Sequence, residues 1–233
     1  MRKTAGILTW HYYNNFGSAL QAYALQSVLE SRGYRTKIIN YRNKKFGKYS
    51  PSKDAVRMLL KRTLGAVGGQ YGTRFKYPFL AFQKTYLNET RILRDKSEVE
   101  KCLDRMDLVV CGSDQIWAPN VFNAIYMADF RCVNVKRISY AASIGLNDIP
   151  QDLSSRYEKM LSRFYAVSVR EEKGRQLLKE KCHVNATVVL DPTLLLSTSE
   201  YRKLEKPVKE LKEPYIFCYF LNKEHHYSAK VKA

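Results

Sequence analysis

Apolar residues occur along the chain in short runs of strand length that alternate with longer segments of helical periodicity. The first run, residues 4–9, is bounded by turn residues and is typical of a strand buried on both faces. The next segment has apolar residues at helical spacing from Leu20 to Leu29 and ends at Gly33, a residue favoured just past a helix C-terminus. A second strand is predicted at residues 34–40. A strand, a helix and a strand in this order impose a parallel sheet.

The same alternation resumes in the second half of the chain. The predicted strands there cover residues 106–113, 124–130, 136–145, 165–171, 186–196 and 214–221, and the predicted helices cover residues 150–164 and 170–181. Strands that alternate with helices in this way predict an α/β fold with a Rossmann-like, mostly parallel sheet that is flanked by helices.

Residues 43–96 interrupt this alternation, because they are basic and aromatic and contain no clear strand. Helices are predicted at residues 52–64 and 74–87, with Pro78 moving the start of the second helix towards Tyr77. We therefore expect a basic helical excursion at one edge of the sheet.

The formal net charge is +18 at pH 7, and much of it is local. Residues 32–62 contain eleven Lys and Arg against one acid, Asp54. Such a patch suits nucleic acid, an anionic membrane surface or an acidic small molecule or glycan, and it is equally compatible with a solvated face. Residues 43–64 carry no signature of a nucleic-acid-binding fold, so nucleic acid is the least favoured partner.

Several classes of protein are disfavoured by composition. No apolar run approaches the ~20 residues that span a bilayer, and the N-terminal apolar run is too short for a signal peptide. The five cysteines form no CxxC pair and read as reduced thiols, which disfavours a zinc site. We therefore expect a cytoplasmic protein without a metal. Residues 222–233 begin a helical pattern and stop, which suggests a piece of a longer protein.

In an open parallel sheet, ligands bind beyond the carboxyl ends of the strands. Polar and aromatic side chains follow several predicted strands at that edge, and we take them as candidate site residues. The candidates for substrate binding are His11, Asn14, Asn15, Gly17, Ser113, Gln115, Trp117 and Ser143, and the candidates for catalysis are Asp114 and Arg170. No nucleophile elbow, P-loop, GxGxxG or HExxH motif occurs.

The candidates behind the first strand have two interpretations each. Asn15 is suited to capping the following helix and Gly17 to turning the backbone. Alternatively, the free N–H groups and positive dipole end of that helix receive a phosphate or carboxylate. His11 is either a packed turn residue or a ligand contact.

The two catalytic candidates are also ambiguous. Asp114 is suited either to capping a helix that starts after it or to binding a sugar hydroxyl. Arg170 ends an apolar strand at the start of a helix, where a cation is locally unfavourable. It is better explained by a bound anion, or by an ion pair with an acid such as Asp191.

Five segments, in order, resemble the polysaccharide pyruvyl transferase family. The most specific is residues 107–117, which contain that family's GSDQ-x-W pattern. The others are residues 6–26, 137–145, 167–174 and 188–196. Together they cover nearly the whole chain apart from residues 43–96.

The resemblance implies two facing Rossmann-like lobes, similar to those of GT-B glycosyltransferases. Residues 1–213 would form the first lobe, and residues 214–233 would begin a truncated second lobe. It also implies transfer of a pyruvyl group from phosphoenolpyruvate to a sugar of a cell-envelope or capsular glycan. Arg170 matches the family's VR-[DE] position, whereas the family's histidine belongs to the second lobe. A chain with one lobe would then be inactive alone.

This chemistry agrees with the residue types at the predicted edge. A donor with a phosphate and a carboxylate needs Arg and helix N-termini, and ketal formation needs a general acid and base. Asp114 suits a base for the acceptor hydroxyl, and no cofactor is expected. Residues 43–86 suit an anionic or lipid-linked glycan and peripheral contact with the inner face of a membrane.

Two other functions stay open from the sequence. One is a GT-B-like glycosyltransferase lobe that uses a nucleotide-sugar donor. The other is a non-catalytic, basic module that binds glycan or nucleic acid.

Overall fold

The structure is a computed structural model that describes residues 2–12, 15–42, 76–131, 135–206 and 216. The predicted helix at residues 52–64 lies outside the described residues, as does the predicted strand at residues 214–221 apart from Ile216. The chain divides into two units, residues 1–197 and residues 198–233. The first unit contains the sheet and the candidate site, and the second contributes one short described helix.

Four parallel strands form the central sheet in the order β2-β1-β3-β4. The strands are β1 (Thr4–Leu8), β2 (Arg35–Ile38), β3 (Leu108–Cys111) and β4 (Lys136–Ser139). The two inner strands pair from Ala5 with Leu108 to Leu8 with Cys111, and β3 is buried at every position. Their continuous apolar runs are what a strand covered on both faces requires. The predicted α/β fold with a mostly parallel sheet is confirmed.

Two further strands, β5 (Ser168–Val169) and β6 (Thr187–Val188), pair with each other in parallel. They are shorter than the strands predicted at residues 165–171 and 186–196. Single bridges from Ile138 to Ala166 and from Ala142 to Val169 connect them to the β4 side of the central sheet. Between these bridges, side-chain hydrogen bonds replace backbone ones. The hydroxyls of Ser139 and Ser168 each donate to the other residue's carbonyl oxygen, at 2.7–2.8 Å. Side-chain hydrogen bonds therefore interrupt the regular ladder that the apolar pattern predicted.

The short strand predicted at residues 124–130 is wrong, because this segment is a series of tight turns. The N–H groups of Tyr126, Met127 and Ala128 donate to carbonyl oxygens three residues earlier, at 3.0–3.2 Å. Ala128 takes the left-handed conformation, with φ of 47°. The segment is apolar because it is buried in the same core cluster as Trp117, which period alone does not distinguish from a buried strand.

Helices cover both faces of the sheet. They are α1 (Phe16–Ser31), α2 (Lys76–Tyr86), α3 (Lys96–Leu103), α4 (Gln151–Leu161) and α5 (Glu172–Cys182), all in the first unit. The second unit contains the short helix α6 (Thr198–Arg202). One core cluster contains Ala22, Leu25 and Leu87, and the other contains Trp117 and Tyr157. None of the helices in the described part of the chain has the length and apolar character needed to cross a membrane.

The basic excursion returns to the sheet before α3. Glu89 bridges Ile38 and Leu93 bridges Tyr41, so this segment runs alongside the end of β2. Helix α3, which the hydrophobic pattern did not predict, is capped by Asp95, whose side chain accepts from the Glu98 N–H at 2.9 Å.

Candidate functional site

The loops that follow β1 and β3 meet at the carboxyl edge of the sheet. The Thr9 hydroxyl donates to the carbonyl oxygen of Ser113 at 2.6 Å and so connects the two loops. The Gln21 amide nitrogen, from α1, contacts the Thr9 hydroxyl oxygen and the Trp10 carbonyl oxygen, both at 2.9 Å. The sequence candidates that follow β1 and β3 are therefore brought to one edge, as the rule for parallel sheets predicts.

A cavity of about 440 Å³ opens at this edge, within the range of small-molecule sites. Aromatic rings form much of its wall, namely Trp10, Tyr12, Tyr41 and Tyr126, with Val121 beside them. Its polar lining residues are Asn15, Ser18, Asp114, Gln115 and Asn123. Among these described lining residues, Asp114 is the one with a formal charge at neutral pH.

Asp114 is held in an unusual backbone conformation, with φ of 80°. Its Oδ1 accepts from the backbone N–H of Gln115 at 2.8 Å, and its Oδ2 accepts from the Ser18 hydroxyl at 2.5 Å. No helix starts at Gln115, so the helix-capping interpretation of Asp114 is wrong. A non-glycine residue at positive φ costs free energy, and such positions cluster at functional sites.

Helix α1 begins beside this carboxylate. Asn15 is its N-cap and accepts from the Ser18 N–H at 3.0 Å, which confirms the capping interpretation of Asn15. The same side chain lines the cavity. A Cβ at Gly17 would lie 3.3 Å from Asn15 Oδ1, so glycine leaves the cap undisturbed. Asn14 lies outside the described residues.

Arg170 follows β5 and belongs to a compact ion-pair group that we call the Arg170 cluster: Arg170, Glu171, Asp191 and Ser113. The guanidinium donates to Glu171 Oε1 at 2.9 Å, to Asp191 Oδ2 at 3.1 Å and to Ser113 Oγ at 3.4 Å. The Ser113 hydroxyl in turn donates to Asp191 Oδ2 at 2.9 Å. Of the two explanations offered for Arg170, the structure shows the ion pair with Asp191.

Opposing influences set the charges of this cluster. Burial lowers the pKa of Arg170, but hydrogen bonds and charges from Glu171 and Asp191 outweigh it and raise that pKa above its ordinary value. Burial raises the pKa of Asp191, but hydrogen bonds from Thr193, Ser113 and Arg170 outweigh it and lower that pKa. Both partners of the pair are therefore ionised at neutral pH.

The cavity and the Arg170 cluster are neighbours through one peptide bond. Ser113 contacts Arg170, and the next residue, Asp114, contacts Ser18 at the start of α1. The predicted arginine and the first turn of α1 therefore lie at the same edge of the sheet. Arg170 does not line the cavity, so the cation and the cavity are adjacent parts of this edge.

His11 lies in the core and not in the cavity wall, and its assignment as a binding residue stays a prediction. Its Nδ1 is 3.0 Å from the Thr9 carbonyl oxygen, which only accepts, so we assign the proton of the neutral ring to Nδ1. Its Nε2 faces Glu89 Oε1 at 3.5 Å. Burial lowers the pKa of His11 to about 4, so the ring is neutral near pH 7.

Trp117 and Ser143 are also buried, and both stabilise the loop that carries Asp114. The Trp117 indole N–H donates to the Tyr126 carbonyl oxygen at 2.8 Å, and its backbone N–H donates to the Ser143 carbonyl oxygen at 3.2 Å. The Ser143 N–H donates to the Asp114 carbonyl oxygen at 3.0 Å. Neither side chain lines the cavity, and their assignment as substrate-binding residues stays a prediction.

Seven lining residues are not among the candidates: Trp10, Tyr12, Ser18, Tyr41, Val121, Asn123 and Tyr126. Trp10 and Tyr12 follow β1, and Ser18 lies in the first turn of α1, next to the candidates chosen there. Tyr41 follows β2, so the rule used for the other strands would have found it had it been applied to that strand. The other three belong to a segment of turns in which no sequence signal separates lining residues from core residues.

Metal binding finds no support in the part of the chain that the structure describes. No group of three or more His, Cys, Asp or Glu residues there is arranged to hold a metal ion.

Comparison with known protein families identifies a match over most of the chain. The family model described as "Polysaccharide pyruvyl transferase" matches residues 15–232 of the chain. No curated protein matches the chain. The matched span includes Asn15, Asp114 and Arg170, the side chains on which the geometry above depends.

Proposed function

We propose a pyruvyl transfer reaction for this chain, which belongs to the polysaccharide pyruvyl transferase family. In the proposed reaction, phosphoenolpyruvate is the donor and two hydroxyl groups of a glycan sugar are the acceptors. The family match carries the proposal. The position of a carboxylate, Asp114, and an arginine, Arg170, on either side of Ser113 supports it.

The reaction balances without a cofactor. The donor's methylene carbon takes up a proton and becomes a methyl group, and its central carbon forms a bond to each of two sugar oxygens. The bond between that carbon and the phosphate oxygen breaks, and inorganic phosphate leaves. One hydroxyl proton balances the new methyl group, and the other leaves with phosphate or solvent. A general base for the hydroxyls and a group that holds the donor's anionic ends are therefore required.

Arg170 is our candidate for holding the donor. Its guanidinium is about one-third exposed, and its Nη2 makes no hydrogen bond within the described residues. A donor carboxylate or phosphate can therefore approach that edge while Nε and Nη1 stay bound to Glu171 and Asp191. The two acids fix the direction of the guanidinium, which favours productive geometry.

Asp114 is our candidate base for an acceptor hydroxyl. Each of its carboxylate oxygens has one protein donor and retains further capacity to accept a hydrogen bond from a ligand. The strained backbone and the Ser18 hydroxyl fix this carboxylate at the cavity. The family's two-lobe architecture, the boundary near residue 213 and a cytoplasmic location next to the membrane stay predictions.

The test is turnover with defined substrates. The full-length protein is incubated with phosphoenolpyruvate and a panel of glycans, and both inorganic phosphate and the mass of the product glycan are measured. We expect phosphate release that depends on the acceptor, with a product that carries one pyruvyl ketal. Turnover of a nucleotide sugar, with release of its nucleotide and no consumption of phosphoenolpyruvate, would contradict the proposal and favour a glycosyltransferase.

The arginine is tested by matched variants. Arg170→Ala should abolish turnover, and Arg170→Lys, which keeps the charge without the planar fork, should retain a small part of it. Arg175→Ala is the control, because Arg175 is exposed and pairs with Glu172 within one turn of α5. Full turnover by a folded Arg170→Ala protein would remove Arg170 from the mechanism.

A further inference from the structure

We infer that the cavity binds an uncharged sugar ring and excludes the anionic donor. The description of that sugar as the acceptor rests on the proposed function, whereas the sugar-binding site itself does not. The inference also narrows the expected partner, because an anionic or lipid-linked glycan would then present an uncharged ring at the position that is modified.

Charge is the first argument. The described lining residues include one carboxylate, Asp114, and no Lys or Arg. A ligand with both a phosphate and a carboxylate would bring several negative charges against that carboxylate, without a compensating cation among the described lining residues. Arg42 lies close by, but it is outside the lining, with its Cζ 5.1 Å from the centre of the Tyr12 ring and its Nε bonded to Asn40. The wall therefore favours an uncharged ligand.

The aromatic wall is the second argument. Tyr126 makes edge contacts with Trp10, at 6.4 Å between ring centres, and with Tyr41, at 6.0 Å. The three rings thus support one another in fixed orientations. A pyranose ring has an apolar face of C–H groups that packs against such rings while its hydroxyls point to polar groups at the edge.

The polar edge is the third argument. Asp114 is an acceptor in a fixed position, and hydroxyl groups are the donors that suit it. The Gln115 side chain makes no hydrogen bond within the described residues, so its amide can both donate to and accept from a sugar. Because Gly145 has φ of +64° and no Cβ, Gln115 packs over its backbone. A wall of rings with one carboxylate and one amide at its edge matches a neutral polyol.

The two tryptophans of the chain allow a direct binding test. Trp10 lines the cavity, whereas Trp117 is fully buried in the core. Quenching of tryptophan fluorescence by acrylamide should therefore report mainly on Trp10. The probes are the methyl glycosides of glucose, galactose and mannose, their 6-phosphates, and phosphoenolpyruvate, each added alone.

We expect at least one neutral glycoside to protect Trp10 from acrylamide at roughly millimolar concentration. The 6-phosphates and phosphoenolpyruvate should give little protection. Trp10→Phe should remove the signal, since the remaining tryptophan is inaccessible. Asp114→Asn should weaken protection about tenfold, the loss of one charged hydrogen bond. Asp148→Asn, at an exposed surface ion pair with Lys181, is the control and should leave protection unchanged.

Two results would overturn the inference: protection of Trp10 by none of the neutral glycosides, or better protection by phosphoenolpyruvate or a 6-phosphate. The outcome is separable from that of the proposed function. Sugar binding without pyruvyl transfer would leave a sugar site in a protein of another activity. Pyruvyl transfer without protection of Trp10 would place the acceptor elsewhere.

Discussion

The cavity and the Arg170 cluster lie side by side at one edge of the sheet, yet their polar groups are arranged in opposite ways. In the cluster, a cation is matched by two carboxylates and a hydroxyl, so its charges are satisfied within the protein. In the cavity, the carboxylate of Asp114, whose backbone has positive φ, and several side-chain amides surround open volume beside a wall of aromatic rings. The cluster fixes its own geometry and leaves one edge of the guanidinium for the proposed donor, whereas the cavity leaves open volume for a whole ligand ring.

This difference predicts that substitutions at the two sites affect stability and ligand binding to different extents. Substitutions in the cluster should lower the free energy of unfolding, because they leave a partly buried ion without its partner. Substitutions at the cavity should cost less stability and should change ligand affinity, because strain and unfilled hydrogen-bonding capacity are retained there for a ligand. Measurements of unfolding and of ligand binding in matched variants test this contrast.

The largest expected effect is a pH-dependent loss of stability that comes from His11, a core residue behind the cavity wall. His11 lies between the lining residues Trp10 and Tyr12, and burial lowers its pKa from 6.5 to about 4. The unfolded chain therefore binds a proton in this range that the folded chain resists, so stability falls as the pH drops from 6.5 to about 4. The loss from His11 alone is at most about 3 kcal/mol.

Glu89 changes the stability in the opposite direction with pH, so its effect has to be separated from that of His11. Burial raises the pKa of Glu89, so its contribution is full at low pH and is lost as the pH rises above its ordinary value. Urea unfolding should therefore be compared between Glu89→Gln and the double variant with His11→Gln. The free energy of unfolding of Glu89→Gln should fall steeply as the pH drops from 6.5 to about 4. The free energy of unfolding of the double variant should not. Equal slopes would show that His11 is not kept neutral by its surroundings.

The Arg170 cluster should respond to acid at a lower pH. Hydrogen bonds lower the pKa of Asp191 despite its burial, so its contribution is present above the ordinary value of 3.8 and is lost only as the pH falls through the lower folded value. At neutral pH, Asp191→Asn should cost about 2 kcal/mol, because it removes the partner of a half-buried guanidinium.

The measurement for Asp191→Asn is the urea midpoint, with Asp148→Asn as the control at an exposed ion pair that is worth little. A similar midpoint for both variants would mean that the Arg170 cluster is a surface ion pair, and the contrast with the cavity would fail.

Much of the fold could be predicted from sequence because strand and helix periods differ. The inner strands are continuous apolar runs, and Asn15 and Gly33 mark the ends of α1 by their own backbone chemistry. Prediction failed where a side chain competes with the backbone, as Ser139 and Ser168 do beside β5. It also failed at residues 124–130, where an apolar composition reflects burial in turns.

The candidate site was predictable to the level of an edge and not to the level of a side chain. Chain order and parallel pairing bring Asp114 and Asn15 to the same edge, and those two line the cavity. The direction of each side chain depends on tertiary packing, which turned His11 and Trp117 inward. For Arg170, the sequence predicted either a bound anion or an ion pair with an acid such as Asp191, and the fold shows the ion pair.

Substitution of Gly145 should have an intermediate effect on stability and should also weaken ligand binding at the cavity. Gly145 has φ of +64°, and an added Cβ would lie 2.8–2.9 Å from the Gln115 side chain. Gly145→Ala should cost about 1–2 kcal/mol from backbone strain and should also displace Gln115 from the cavity. Gly33→Ala is a matched control, because Gly33 has φ of +90° with nothing within 4 Å of an added Cβ. We expect similar losses of stability and weaker glycoside protection of Trp10 in Gly145→Ala alone; equal protection would remove Gln115 from the site.

The smallest expected effect compares two helix caps. Asn15 caps α1 at the cavity, and Asp95 caps α3 away from it, each by accepting one backbone N–H at 2.9–3.0 Å. Asn15→Ala and Asp95→Ala should each lower the free energy of unfolding by about 1 kcal/mol, measured by urea denaturation. Only Asn15→Ala should also weaken the protection of Trp10 by a neutral glycoside, since only that cap contributes to the cavity wall. Unchanged protection in Asn15→Ala would mean that the first turn of α1 serves folding alone, and that the binding edge is confined to the loop that carries Asp114.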